Sequence, residues 1–233
     1  MDSNHFFIRR VIISCYFRPP LRERSRSLIH VLGNFCSSGR EIILYQPGCR
    51  KGSPHGEVEG DGSMTLVMAF IGEKGAVLAG DMREISFAGD RVSIELLERE
   101  LYTGLLATDE NLRERAGELG VSLRIRDDKV KVSEKEGILV GEVTSLEGGV
   151  LRMRRVYATA GSYAIVDIGD GPPVPRGRGG AGHFVVLGNE VTKRIAHRCI
   201  TERWRDGTFR DAIEIILRSM GEASRVTASV SRN

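Results

Sequence analysis

The sequence has few of the residue patterns that build metal centres or disulfide frameworks. Its four cysteines include no C-x-x-C pair, and three of them fall within residues 1–63. His183 and His197 stand fourteen residues apart, with no carboxylate or cysteine at ligand spacing. These absences argue against a metal site and a disulfide scaffold, and they favour a reducing compartment. We therefore expect a cytosolic protein that uses no cofactor.

The chain also lacks long apolar runs and lacks a basic excess in its main part. The apolar stretch at 6–16 is too short to span a bilayer and is interrupted by Arg9 and Arg10. Of the 34 basic and 31 acidic residues, nine and six lie in residues 1–63, which leaves 25 of each in residues 64–233. A balanced body has no basic face that would displace counterions from nucleic acid. We expect neither a membrane partner nor a nucleic-acid partner.

Residues 1–63 differ in composition from the rest of the chain. They alternate short apolar pieces with Pro, Gly, Ser and Arg and show no sustained period. This composition is typical of a disordered leader, a propeptide, or an upstream region joined to the gene by a misplaced start codon. Residues 64–233 carry periodic apolar patterns and are expected to form the folded domain.

The apolar runs at 66–71 and 76–79, joined by Gly72-Glu73-Lys74-Gly75, predict a β-hairpin buried on both faces. The elements predicted after it are a helical pair at about 93–120, strands between 121 and 168, an exposed loop at 169–182, helices capped by Asn189 and Thr208, of which the second ends at Gly221, and a last strand from Arg225. This order predicts an α+β layered fold.

Thr65 directly follows Met64 at the start of the hairpin. If Met64 is the initiator, the small threonine side chain allows methionine removal, and Thr65 then carries a hydroxyl nucleophile and a free α-amine. Such an amine, with an ordinary pKa of about 7.7 to 8.0, can take the hydroxyl proton itself. The plainer interpretation is that Thr65 is a β-branched strand residue.

The segment 65–83 resembles the start of a proteasome β-type subunit, an N-terminal-nucleophile hydrolase. Asp81 and Arg83 stand at that family's spacing from Thr65. The resemblance implies that Asp81 orients a lysine that lowers the pKa of the threonine hydroxyl, with Arg83 in support. Lys129 is our candidate for that lysine, and Lys131 is the alternative.

The segment 224–229 is similar to the part of proteasome subunits that places an Asp and a Ser near the threonine amine. Ser229 fits this pattern, whereas Val226 stands where the Asp would be. Loss of that acid predicts inefficient hydrolysis. The resemblance implies the four-layer αββα sandwich of N-terminal-nucleophile hydrolases. The oxyanion would need backbone donors, for which Gly141 and 179–182 are both candidates.

The helical pair at about 93–120, which ordinary proteasome subunits lack at that point, narrows the resemblance. Together with the opening Met-Thr-Leu-Val and the motif Gly-Asp-Met-Arg-Glu, it resembles the connectase family of methanogenic archaea, which are monomeric relatives of the proteasome. The resemblance covers most of residues 64–233. Connectases are longer at the C-terminus, so the chain is expected to be truncated there.

This resemblance implies a monomeric transpeptidase, or protein ligase, that cuts a peptide before a Pro-Gly-Ala type sequence and joins the retained part to a second peptide. The implied partner is a segment containing Lys-Asp-Pro-Gly-Ala, as in a methyltransferase subunit. Two alternatives stay open. One is a proteasome-like threonine peptidase or amidase, and the other is a catalytically silent binding relative, which would follow if residues 1–63 stay attached.

Overall fold

The computed structural model describes residues 11–17, 66–147, 150–169 and 171–231, so Thr65 lies outside the described residues. In these ranges the strands are β1 (Val11–Phe17), β2 (Val67–Ile71), β3 (Gly75–Asp81), β4 (Glu84–Ala88), β5 (Ser122–Arg126), β6 (Val132–Lys135), β7 (Ile138–Glu147), β8 (Val150–Thr159), β9 (Ser162–Ile168), β10 (Val174–Gly180) and β11 (His183–Leu187). The helices are α1 (Arg91–Thr103), α2 (Asp109–Glu118), α3 (Glu190–Arg203) and α4 (Phe209–Val226). Among these helices, none has the length and apolar character needed to cross a membrane.

Two antiparallel sheets form the centre of the molecule. The first sheet has the strand order β1-β3-β2-β11, and the second has the order β10-β9-β8-β7-β6, while β4 and β5 pair as a separate ribbon. The hairpin predicted between β2 and β3 is confirmed, with a register that runs from Val67 opposite Gly80 to Ile71 opposite Ala76. Its turn closes through the N–H of Gly72, which donates to the carbonyl of Gly75 at 2.8 Å.

The first sheet is buried on both faces, as the apolar runs predicted. Because side chains alternate along a strand, residues such as Met68 and Val77 pack against α3 and α4, whereas Val67 and Leu78 pack against the second sheet. The layers in the described part of the chain are therefore helices, first sheet and second sheet. The α+β class is confirmed, and the four-layer sandwich stays a prediction.

A glycine in β7 sets how closely the two sheets approach. Gly141 lies opposite Val132 and Val156 in the second sheet. A Cβ atom there would stand 2.6 Å from Cγ1 of Val67 and 3.2 Å from Cδ2 of Leu78, both in the first sheet. Gly141 is thus required by packing between the sheets, whatever part its backbone plays in chemistry.

One strand from the N-terminal part joins the first sheet. β1 pairs with β3 from Val11 opposite Asp81 to Phe17 opposite Gly75. Cys15 packs against the core between the first sheet and the helices, and burial raises the pKa of its thiol to about 11. The remainder of residues 1–65 lies outside the described residues, so its interpretation as leader, propeptide or upstream extension stays a prediction.

The helical pair predicted at about 93–120 is present as α1 and α2, and it has a core of its own. Leu97 and Leu112 pack with Ile85 of β4, Val121 and Ala228. The pair therefore joins the β4–β5 ribbon to the C-terminal end of the described chain. It is an integral part of the fold.

The C-terminal end differs from the predicted strand. α4 does not end at Gly221 but continues to Val226, because the buried Ala223 extends its apolar face. Thr227 then ends the helix, and residues 227–231 form a turn whose side chains are all buried. The prediction of a strand from Arg225 was wrong because helical packing on the first sheet outweighed a short period-two pattern. The predicted caps Asn189 and Thr208 are confirmed, the latter with its full capping box.

The prediction of an exposed loop at 169–182 was wrong about the backbone at 174–180, although most residues there are exposed as predicted. The stretch contains β10, the edge strand of the second sheet, paired with β9. A register shift between Pro175 and Gly177 accommodates the proline, which is tolerated at a sheet edge because it needs no donor there. Gly179 has no room for a side chain because the ring of Tyr163 covers it, and ring atoms would lie 2.6 Å from any Cβ at this position.

We predict that Gly141→Ala lowers the free energy of unfolding by about 2 kcal/mol, since its methyl group must displace Val67 in a packed interface. Urea unfolding measures this change. The control is Gly117→Ala on exposed α2, where a Cβ meets nothing within 4 Å and the unfolding free energy should rise by up to about 1 kcal/mol. Equal effects of the two substitutions would contradict the packing role of Gly141.

Candidate active site

The start of β2 and the end of β3 meet at Leu66 and Asp81. The N–H of Asp81 donates to the carbonyl of Leu66 at 3.2 Å. Leu66 is fully buried and Asp81 is 2% exposed. Asp81 is therefore hydrogen-bonded to the residue that follows Thr65 in the sequence, and Thr65 itself is outside the described residues.

Asp81 is held by the turn that follows it. Its Oδ1 accepts a hydrogen bond from the backbone N–H of Arg83 at 2.6 Å, which is the side-chain-to-backbone contact of an Asx turn. A buried carboxylate requires such hydrogen bonds, because water no longer solvates it. The orientation of Asp81 therefore depends on where the backbone of Arg83 lies.

The guanidinium of Arg83 is buried and binds three parts of the chain. It makes a bidentate contact with Asp127, at 2.8 and 3.1 Å, and a second bidentate contact with Asp109, in which the bond from Nη2 to Oδ2 measures 3.1 Å. A fifth bond, at 2.8 Å, goes to the carbonyl of Ala228. Burial alone would lower the pKa of this guanidinium, but the bonds and charges of Asp127 and Asp109 raise it above its ordinary value. All five N–H donors of Arg83 are thus used.

Of the two candidate lysines, Lys131 is the one that joins Asp81 and Arg83 in a buried cluster. Lys131 is 7% exposed, and its Nζ donates to the backbone carbonyl of Arg83. Lys129 is instead 47% exposed and pairs with Glu84 at 2.5 Å, a contact that lowers the pKa of Glu84. Lys131, the alternative, is thus the lysine that contacts Arg83, whereas Lys129 lies at the surface, and which of the two activates a nucleophile stays a prediction.

The alternating sequence Lys129-Val130-Lys131-Val132 does not reveal which lysine is buried. Val132 is 3% exposed, as expected for the first residue of β6, but Val130 is 60% exposed. The apolar Val130 is thus exposed and the charged Lys131 is buried, which is the opposite of what their residue types predict. The position of Lys131 directly before β6 is a weak signal that could have favoured it.

Ser229 lies in the buried C-terminal turn, as part of a network of polar side chains. Its hydroxyl accepts from Nδ2 of Asn189 at 3.0 Å and is 3.1 Å from the hydroxyl of Thr227. The preceding residue, Ala228, accepts from Arg83 and donates its N–H to the carbonyl of Leu106 at 3.0 Å. Ser229 is therefore one residue from a direct contact with Arg83.

Asn189 was recognised from sequence only as a helix cap. Its Oδ1 does cap α3, accepting from the N–H of Thr192 at 3.3 Å, while its Nδ2 reaches Ser229. Asparagine can serve both contacts because it carries an acceptor and a donor on one side chain. Its position two residues after the buried strand β11 was the available signal.

The cluster thus combines a buried carboxylate, a buried lysine and a buried hydroxyl network around Arg83. Within the described ranges no group of His, Cys, Asp and Glu is arranged to hold a metal ion. Gly141 pairs with Val132, next to Lys131, whereas Gly179 and Gly180 lie in β10 at the opposite edge of the second sheet. Of the two candidate oxyanion segments, Gly141 is the one whose strand neighbours the cluster.

Comparison with protein families identifies the relatives of this domain. The family model described as Connectase MJ0548-like, N-terminal domain, matches residues 64–233. The match includes every residue of the cluster and also the pair α1 and α2. A search of curated proteins found no match.

We predict that Arg83→Met lowers the free energy of unfolding by about 3 kcal/mol, because it leaves Asp109 and Asp127 without their shared cation. Urea unfolding of the variant measures the loss. Arg115→Met is the control, since Arg115 makes a similar two-pronged pair with Glu100 but at the surface, where an ion pair contributes little. An Arg83 variant no less stable than the Arg115 variant would contradict the role of Arg83 as the centre of the cluster.

Proposed function

The chain belongs to the connectase family, and on that basis we propose that it is a peptide transpeptidase whose nucleophile is Thr65, acting once its α-amine is free. The observation that carries this proposal is the buried cluster of Asp81, Arg83 and Lys131 beside Leu66, the residue that follows Thr65. In this proposal the domain is an N-terminal-nucleophile hydrolase fold related to the proteasome β-type subunits.

The proposed first step is acyl transfer to Thr65. Its hydroxyl oxygen attacks the carbonyl carbon of the peptide bond, and the proton of the hydroxyl moves to the α-amine of the same residue. The peptide C–N bond breaks, and the leaving amine takes up that proton. The ammonium of Lys131 lowers the pKa of the hydroxyl, and Asp81 orients this lysine. Ser229 contributes to the hydrogen bonds around the amine.

The proposed second step explains why the acyl group is joined to a second peptide and is not released by hydrolysis. The α-amine of Thr65 attacks the new ester, which forms an amide and regenerates the hydroxyl. An amide resists water better than an ester does, so the acyl group persists until the amine of a second peptide takes it by the reverse route. The substrate proposed is a peptide containing Lys-Asp-Pro-Gly-Ala, cut before the proline, as in a segment of a methyltransferase subunit.

The apolar side chain of Val226, which carries no carboxylate, supports transfer over hydrolysis. It stands where proteasome subunits carry an acid near the threonine amine, and it is the last residue of α4, 42% exposed. The neighbouring Thr227 and Ser229 supply hydroxyls but no carboxylate to the network. A threonine peptidase remains the alternative outcome of the experiment.

The proposal predicts a covalent adduct on Thr65. The test uses the full chain with residues 58–64 replaced by a protease recognition site, cleaved directly before Thr65 and mixed with a peptide containing Lys-Asp-Pro-Gly-Ala. Intact mass should show an acyl adduct on the wild type and none on Thr65→Ala. Addition of a second peptide beginning Pro-Gly-Ala should give the joined product. An adduct on Thr65→Ala would place the nucleophile elsewhere, and release of the free acid alone would indicate a peptidase.

The two lysines provide a matched pair of variants. Lys131→Met should slow adduct formation at least about 100-fold, the range expected for loss of a group that assists proton transfer. Lys129→Met should stay within about threefold of the wild type, since its side chain pairs with Glu84 at the surface. Quenched time courses followed by mass spectrometry give both rates. A larger loss of rate in Lys129→Met than in Lys131→Met would indicate that Lys129 is the activating lysine.

A further inference from the structure

We propose that Asp109, the first residue of α2, is a positioning residue for the active site, acting through Arg83 on Asp81 and Lys131. This inference rests on the proposed function and extends it to the helical pair α1 and α2. The pair would then be part of the catalytic apparatus, since it supplies one of the two carboxylates that hold Arg83.

The backbone of Arg83 is the common support of the two candidate catalytic groups. Its N–H donates to the carboxylate of Asp81 at 2.6 Å, and its carbonyl accepts from Nζ of Lys131. A shift of this one peptide segment would move the acid and the lysine together. Whatever holds the Arg83 side chain in place therefore also sets the geometry of Asp81 and Lys131.

Two carboxylates from separate elements hold that side chain. Asp127 comes from the connection between β5 and β6, and Asp109 comes from the start of α2. Each binds the guanidinium with both oxygens, and the planar fork of arginine makes such contacts directional. Two bidentate carboxylates and one backbone carbonyl bind the guanidinium, so it has one orientation.

Asp109 is itself fixed by the packing of α2. The side chain of Thr108 caps this helix by accepting from the N–H of Asn111 at 3.0 Å, and Leu112 and Ala116 anchor it in the core shared with Ile85. An acid in the first turn is also favoured by the helix dipole. Asp109 is therefore a rigidly mounted contact, unlike an acid on a loop.

The burial of the Arg83 charge, whose side chain is 3% exposed, supports a role beyond stability. Ion pairs removed from water lose their hydration, and an apolar side chain of similar volume often stabilises a fold as well or better. What an apolar group does not provide is a fixed orientation for the backbone of Arg83. The geometry points to positioning as the reason for a charged contact between α2 and the active site.

The pair Glu100 and Arg115 supplies a matched control within the same two helices. Glu100 of α1 binds Arg115 of α2 with both oxygens, at 2.7 and 2.8 Å. This contact has the same chemistry as that of Asp109 with Arg83, but it includes none of Asp81, Arg83 and Lys131. Glu100→Gln therefore reports what loss of an ion pair does to the helical pair alone.

The first experiment measures adduct formation by the cleaved full chain over a range of peptide concentrations. Asp109→Ala should lower the rate at saturating peptide about tenfold, and Asp109→Asn, which keeps an oxygen acceptor, should lower it less. The half-saturating concentration should stay within twofold of the wild type for both. Glu100→Gln should stay within twofold in both parameters. The proposal would be overturned if Asp109→Ala changed only the half-saturating concentration, or if Glu100→Gln lowered the rate at saturating peptide by the same factor.

A second experiment does not depend on catalysis. In NMR spectra of the full chain, the Nη–H protons of Arg83, through which Asp109 binds, should exchange slowly with solvent. Asp109→Ala should speed this exchange at least tenfold and shift the side-chain signals of Lys131, assigned with Lys131→Arg. Glu100→Gln should change neither. If the wild type forms no adduct but these shifts occur, the proposed function fails and the coupling stands. If Asp109→Ala leaves the Arg83 exchange and the Lys131 signals unchanged, the inference is wrong.

Discussion

The buried guanidinium of Arg83 is the interaction on which the structure around the candidate site depends. It joins four parts of the chain that are far apart in sequence: the end of β3, the start of α2, the connection after β5 and the turn after α4. Arginine suits this place because it stays charged and offers five donors in a fixed plane. Each partner alone is a common contact, but together they determine how the helical pair and the C-terminal turn meet the first sheet.

The two-sheet core provides the rigid base for that cluster. β2 and β3 are buried on both faces, so the hairpin cannot slip by one residue without exposing an apolar face. That register brings Leu66 opposite Asp81 at the edge of the core. Close contact of the sheets at Gly141 then sets the position of β6, and hence of Lys131, relative to the hairpin.

The helical pair and the cluster both lie within the residues that match the connectase family model. α1 and α2 pack on the β4–β5 ribbon, which leads out of the hairpin and back to Lys131. The pair lies between β4 and β5 in the chain, and the residues that follow β5 include Lys131. Asp109, the first residue of α2, contacts Arg83 from this position.

Local patterns in the sequence determined the hairpin, the caps at Asn189 and Thr208, the presence of the helical pair, and the spacing of Asp81 and Arg83 from Thr65. These features depend on neighbours within a few residues or on strand and helix periods, which a sequence displays directly. Only the tertiary structure buried Lys131 and exposed Lys129, made Val174–Gly180 an edge strand, and continued α4 to Val226. It also assigned Asp109, Asp127 and Ala228 to Arg83, across 26, 44 and 145 positions of sequence. Burial of a charged side chain depends on partners brought together by the whole fold, and no local pattern specifies those partners.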